Sequence, residues 1–146
     1  MNIVKEVNIA TKTILLIDDE ISVREIVELC LKDLALWNVV TADSPLQGLQ
    51  KAALAHPDAI LLDWSIGGMD GFMFLAQLRN NLETQAIPIV LLSAKARWLD
   101  TEILRRYQVV GVILKPFDPV TLPGQVAKLL GWDFTLHIPK CDVSPT

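Results

Sequence analysis

Four polar groups in this 146-residue chain each follow directly on an apolar run: Asp18-Asp19-Glu20, Asp63, Ser93 and Lys115-Pro116. Carboxylates crowded at one point repel one another, so such a set is costly unless it binds a cation. An all-oxygen donor set favours a hard divalent ion such as Mg²⁺, which keeps several waters and helps hold a phosphoryl group. A carboxylate is also a nucleophile toward phosphorus and can carry the group as an aspartyl phosphate. That transfer needs the equatorial oxygens neutralised, which a metal, an ammonium, a hydroxyl and backbone N–H groups do together. Asp18 and Asp19, Lys115 and Ser93 supply the first three.

Taken singly, most of these residues have ordinary explanations. Asp18 or Asp19 can cap a following helix, Ser93 can cap another, and Lys115 can be a solvated charge. Asp63 resists that account, because the next helix cap, Asp70, lies several residues further on. Asp43 is the internal control: it too ends an apolar run, but Ser44-Pro45 follows, and entry into a helix suffices to explain it.

The elements that position these groups are legible from periodicity. Strand-length apolar runs recur at residues 13–17, 39–42, 59–62, 89–92 and 111–114. Between them lie segments with helical spacing: Val23, Ile26/Val27, Cys30 and Leu34; Leu46, Leu49 and Ala53; Phe74/Leu75 and Leu78; Leu99, Ile103 and Tyr107; Leu122, Val126 and Leu129/Leu130. The order is β-α five times over, and near-continuous apolar strands fit a parallel sheet covered on both faces. This predicts a doubly wound α/β domain. Ligands bind such sheets at the carboxyl ends of the strands, which brings all four polar groups to one edge. Punctuation agrees, with Ser44 capping the second helix, Asp70 the third and Thr121 the fifth, and Pro123 close to a helix start.

One domain is expected over residues 13–130, with an N-terminal extension at 1–12 and a C-terminal tail at 131–146. In the first extension Ile3, Val4, Val7 and Ile9 can lay one apolar side on the core. The tail reads as a short extension or a frayed end and is too short for an output domain. A hydrophobic share of 51% is ample for one core, and the net charge of -4 argues against direct DNA binding or an anionic membrane surface. No apolar run approaches the roughly 20 residues of a membrane span, and residues 1–12 lack a signal-peptide core, so the expected location is cytoplasmic. Cys30 and Cys141 have no metal-ligand spacing. His56 is expected in an exposed turn, His137 inert in the tail, Trp64 in a packing role, and Arg97, Arg105 and Arg106 on a solvated face.

Together the motifs Ile17-Asp18-Asp19-Glu20, Leu62-Asp63-Trp64 with Met69-Asp70-Gly71, Leu92-Ser93-Ala94 and Lys115-Pro116-Phe117-Asp118 resemble the receiver domain of two-component response regulators. The resemblance covers residues 13–130. It implies a flavodoxin-like sheet of order 2-1-3-4-5 with five helices. It also implies that Asp63 accepts a phosphoryl group from a sensor histidine kinase or a His-containing phosphotransfer protein. Asp19, Asp63 and the backbone carbonyl of Ser65 would hold Mg²⁺, Asp18 acting mainly through a bound water. Lys115 would pair with Asp63 and then with the phosphoryl oxygens, while Ser93 would hydrogen-bond the group and draw its loop inward. A downstream protein target would read the outcome, on a face built from the fourth helix, the fifth strand and the fifth helix.

The chain departs from the family pattern in two places. Gly67 stands where proline is usual after the acceptor, loosening that loop. Val112 stands where the family has an aromatic that swings between buried and exposed rotamers, and valine offers no such change of surface. The leading expectation is a stand-alone, phosphorylatable interaction module, with self-catalysed phosphotransfer and autodephosphorylation its only catalysis. The alternative is a receiver-like binding module that does not switch by phosphorylation. A haloacid dehalogenase type hydrolase would place Asp-x-Asp after the first strand, where Asp18-Asp19-Glu20 stands here. A dinucleotide enzyme would need a Gly-x-Gly-x-x-Gly that is absent.

Overall fold

Strands covered on both faces must offer apolar side chains in both directions, and the uninterrupted apolar runs meet that need. The computed structural model describes residues 11–64, 69–94 and 101–138. In it the runs become β1 (Thr13–Ile17), β2 (Asn38–Ala42), β3 (Ala59–Asp63), β4 (Ile89–Ser93) and β5 (Val109–Leu114). The helices are α1 (Ile21–Ala35), α2 (Pro45–Ala55), α3 (Met69–Asn80), α4 (Thr101–Arg106) and α5 (Leu122–Leu130). The strands form one parallel sheet of order β2-β1-β3-β4-β5, as the resemblance implied.

Successive strand residues enter two separate cores. Ile14, Leu16, Leu61, Val90 and Leu92 meet Val27 and Leu31 of α1 and Leu122 and Val126 of α5. Leu15, Ile17, Ile60, Leu62 and Leu91 meet Ala52 of α2 and Phe74, Leu75 and Leu78 of α3. Each such side chain, fully buried, contributes about 1.5–3 kcal/mol. The central strands β1, β3 and β4 are therefore the rigid base from which the polar residues project. Gly48 lets α2 come close to β1, since a Cβ there would lie 2.5 Å from Ile17 Cδ1. Gly111 does the same between β5 and Leu129 of α5.

Several helix details differ from the sequence reading. Leu46 is 68% exposed, and α2 instead buries Gly48 and Ala52, because close approach to the sheet favours its smallest residues. On α1, Ile26 is exposed while Val27 and Leu31 are buried. Ser44 caps α2 as expected, accepting from the Gln47 amide with Pro45 in the first turn. Asp70 lies inside α3 rather than before it. Thr121 occupies the N-cap position of α5 without a side-chain capping bond. There the carboxylate of Asp118 accepts from the Val120 amide, and its carbonyl accepts from the amides of Thr121 and Leu122.

Beyond α5 the chain through residue 138 is a short packed extension, the first of the two alternatives for the tail. Trp132 packs edge-on against Trp37 at 5.3 Å between ring centroids, and Phe134 approaches the same indole at 6.1 Å. The Lys12 ammonium lies 5.1 Å from the Trp132 ring centre, and the His137 amide donates to Leu34 O at the end of α1. Aromatic area, rather than periodicity, ties this strap down. The expectations for Ile3, Val4, Val7, Ile9, Ser65, Gly67, Arg97, Leu99 and Cys141 lie outside the described residues.

Candidate functional site

Register places the polar residues in a rising series along one edge of the sheet. Ile17 pairs with Leu62, so Asp18 and Asp63 emerge side by side where β1 and β3 end. Asp63 pairs with Leu92, and Ser93 follows one residue beyond. Ser93 pairs with Leu114, and the Lys115 amide donates to Ser93 O at 2.8 Å. The order reversal between β1 and β3 opens the crevice in which ligands of such sheets bind. The Lys115–Pro116 peptide is cis.

Burial and charge distinguish these residues. Asp18, Asp63 and Ser93 are buried, while Asp19 lies exposed at the rim. Lys115 Nζ is 2.8 Å from Asp63 Oδ1, with Asp63 1% and Lys115 20% exposed. Carboxylate oxygens of Asp18, Asp19 and Asp63 lie within 4.8 Å of one another. One ammonium therefore faces a cluster of three acids, and a buried charge without compensation is expensive. Asp18 shows the strain: its carboxyl is pushed up to about 6, first by burial and then by the adjacent Asp63, against the lowering effects of the Glu20 amide and Lys115.

The hydrogen bonds of Asp18 leave one atom over. Its amide donates to Ala42 O, its Oδ1 accepts from the Glu20 amide at 2.9 Å, and its carbonyl accepts from Arg24 Nη1 at 2.8 Å. Its Oδ2 is buried with no partner. An unsatisfied buried carboxylate oxygen beside two further carboxylates is the donor set of a hard, oxygen-liking cation, so the residues fit Mg²⁺. The capping explanation for Asp18 falls away, since α1 has no side-chain cap and Asp18 instead braces the turn before it.

The other expectations divide cleanly. His56 is exposed in a left-handed turn after α2, and Arg105 and Arg106 are exposed on α4. Trp64 packs edge-on against Phe72 at 5.1 Å, made possible by Gly71, where a Cβ would lie 3.0 Å from the indole. Val112 is half-buried against the α2/α3 core alongside Leu104 and Tyr107, so this position carries no mobile ring. Arg24 was missed by the sequence reading. Its signal was a cation near the amino end of a helix that has no acid in its first turn, where the helix dipole disfavours positive charge.

A family model for the response regulator receiver domain matches residues 14–127. Chemotaxis protein CheY-3 of Vibrio cholerae is 31% identical over 116 residues, spanning 80% of this chain and 89% of that protein. The probable transcriptional regulator ycf27 of Cyanophora paradoxa is 33% identical over 119 residues, of which this chain spans 48% of the length. The solved structure of chemotaxis response regulator CheY4 of Vibrio cholerae superposes with a TM-score of 0.73 at 29% identity, covering 82% of this chain and 99% of that one. No helix among the described residues is long and apolar enough to cross a membrane.

Proposed function

The chain belongs to the response regulator receiver family, and from that premise we propose that it is a stand-alone receiver whose Asp63 accepts a phosphoryl group from a phosphohistidine of a partner kinase or phosphotransfer protein. The observation that carries the proposal is the buried Asp63–Lys115 pair at 2.8 Å, set beside the unpartnered oxygen of Asp18. A carboxylate oxygen of Asp63 forms the new O–P bond as the P–N bond of the donor breaks, the electron pair leaving with the imidazole nitrogen. Lys115 holds the carboxylate beforehand and then follows the charge onto the phosphoryl oxygens, and the Ser93 hydroxyl offers a hydrogen bond from the end of β4. Asp18, Asp19, Asp63 and the Ser65 carbonyl would hold Mg²⁺, which when bound neutralises equatorial phosphoryl charge.

The product is read by protein contact, without direct DNA binding, in keeping with the net charge of -4. The domain unit is residues 13–130, and the expected setting is the cytoplasm. Val112 favours a second reading, in which the domain binds a partner without switching by phosphorylation. Intact mass after incubation with Mg²⁺ and a small acyl phosphate, and separately with a phosphorylated kinase, tests both. The expected result is one acid-labile phosphoryl adduct in wild type and none in Asp63→Asn. Wild type without an adduct from either donor sinks the leading reading and leaves the binding module.

A further inference from the structure

Arg24 sits in α1 four residues after Glu20, and its guanidinium reaches back along the helix to the carbonyl of Asp18. Side chains in a helix lean toward its amino end, which permits this return. The placement is unfavourable for the helix itself. Its first turn holds no acid, and a cation there opposes the helix dipole at a cost of about 0.3–1 kcal/mol. Among the described residues the Arg24 side chain makes one hydrogen bond, to that carbonyl, and no ion pair within 4 Å of a carboxylate. Its role is therefore different from that of Lys115, which grips Asp63 directly.

The turn it holds is the one that aims the acids. The Arg24 amide donates to Glu20 O, the Glu20 amide donates to Asp18 Oδ1, and Arg24 Nη1 closes the loop on Asp18 O. With the Asp18 amide fixed by Ala42 O, every hydrogen-bonding atom of Asp18 is committed except the buried Oδ2, and the carboxylate that carries it belongs to the acidic cluster. We propose that Arg24 is a positioning residue that pre-sets the Asp18-Asp19-Glu20 turn for divalent-cation binding. This rests on the reading of the three acids as a Mg²⁺ site. Groups that orient metal ligands from behind are worth on the order of 10- to 100-fold in affinity.

Two roles for a cation at this place have opposite signs. A charge acting through space repels Mg²⁺, so its removal tightens binding; a brace holds the ligands in place, so its removal weakens binding. Calorimetric Mg²⁺ titration of the full chain separates them, using wild type, Arg24→Lys and Arg24→Gln. The expected result is on the order of 10-fold weaker binding in both variants, with phosphorylation from an acyl phosphate recovering its wild-type plateau at saturating Mg²⁺. Tighter or unchanged binding in Arg24→Gln, or full retention in Arg24→Lys, overturns the proposal. Hydrogen exchange at the Glu20 amide in metal-free protein provides the second reading. Faster exchange in both variants, against unchanged exchange in β3, supports the brace, and unchanged exchange at Glu20 overturns it. Wild type that binds no Mg²⁺ defeats the reading of the acids as a metal site, a result distinct from a variant that matches a binding wild type.

Discussion

At the amino-terminal edge of the sheet, Arg79 stands partly buried among carbonyls, whereas at the carboxyl-terminal edge Asp18 stands buried among acids. The Arg79 guanidinium donates to Tyr107 O at 2.7 Å, Ile87 O at 2.8 Å, Gln85 O at 2.9 Å and Gln108 O at 3.3 Å. It binds the end of α3 to the approaches of β4 and β5. On the same edge Asp58 Oδ2 accepts from the Thr13 amide at 2.8 Å. Here charge is matched by fixed dipoles and nothing further is needed to satisfy it. At the opposite edge the Lys115 ammonium pairs with Asp63, one of three clustered carboxylates, and one oxygen of Asp18 has no partner. Stability is built into one end, and the capacity to take up a cation is left open at the other.

The contrast is broken most severely by removing Lys115. Lys115→Met is expected to lower the rate of Asp63 phosphorylation by about 100-fold or more, the scale on which an aligned donor to a transition-state oxyanion acts. It also leaves the buried Asp63 carboxylate uncompensated, and added Mg²⁺ is expected to recover much of the lost thermal stability. Arg79→Met is the matched experiment at the other edge. It strands several carbonyls and is expected to cost about 3 kcal/mol in urea unfolding, with the phosphorylation rate of the folded fraction unchanged. Mg²⁺ adds no more stability to this variant than to wild type. Rescue of Arg79→Met by Mg²⁺, or its absence for Lys115→Met, erases the distinction between the two edges.

A third, smaller effect is expected at the strap. Trp132→Ala removes the edge-on partner of Trp37 and the ring beneath Lys12, for an expected loss of about 2 kcal/mol. Phosphorylation should continue, because the aromatic cluster sits at the far end of α1 from Asp18. The strap also marks where sequence reading stops. β1, β3 and β4 were legible because strands buried on both faces are continuous apolar words, and Asp63 was legible because the next capping residue in the sequence, Asp70, stands several positions further on. Periodicity is silent about residues 131–138, whose attachment comes from two aromatic side chains meeting Trp37, a long-range contact. It was equally silent about Arg24 and Arg79, whose partners are carbonyls and therefore leave no complementary charge in the sequence. For α2, counting large apolar residues pointed to Leu46, while close packing at the sheet chose Gly48 and Ala52.

The most gradual expected effect, spread over about two pH units, concerns Asp18. Its carboxyl titrates near 6 in the folded chain against 3.8 when unperturbed. The folded protein therefore holds this proton more tightly than the unfolded chain. Below about pH 4 both states are protonated and Asp18 carries no penalty. Between about 4 and 6 the unfolded chain ionises first, and stability of the metal-free protein falls as pH rises, by a total of about 3 kcal/mol. Above about 6 the slope vanishes. Urea midpoints in chelator across this range are expected to show that decline in wild type and a flatter line in Asp18→Asn. Mg²⁺ competes for the same carboxylate, so its apparent affinity should fall as pH drops below about 6, less steeply in the variant. A decline of equal slope in Asp18→Asn would place the titrating group elsewhere, and the cost assigned to the open end of the sheet would no longer rest on the unpartnered oxygen.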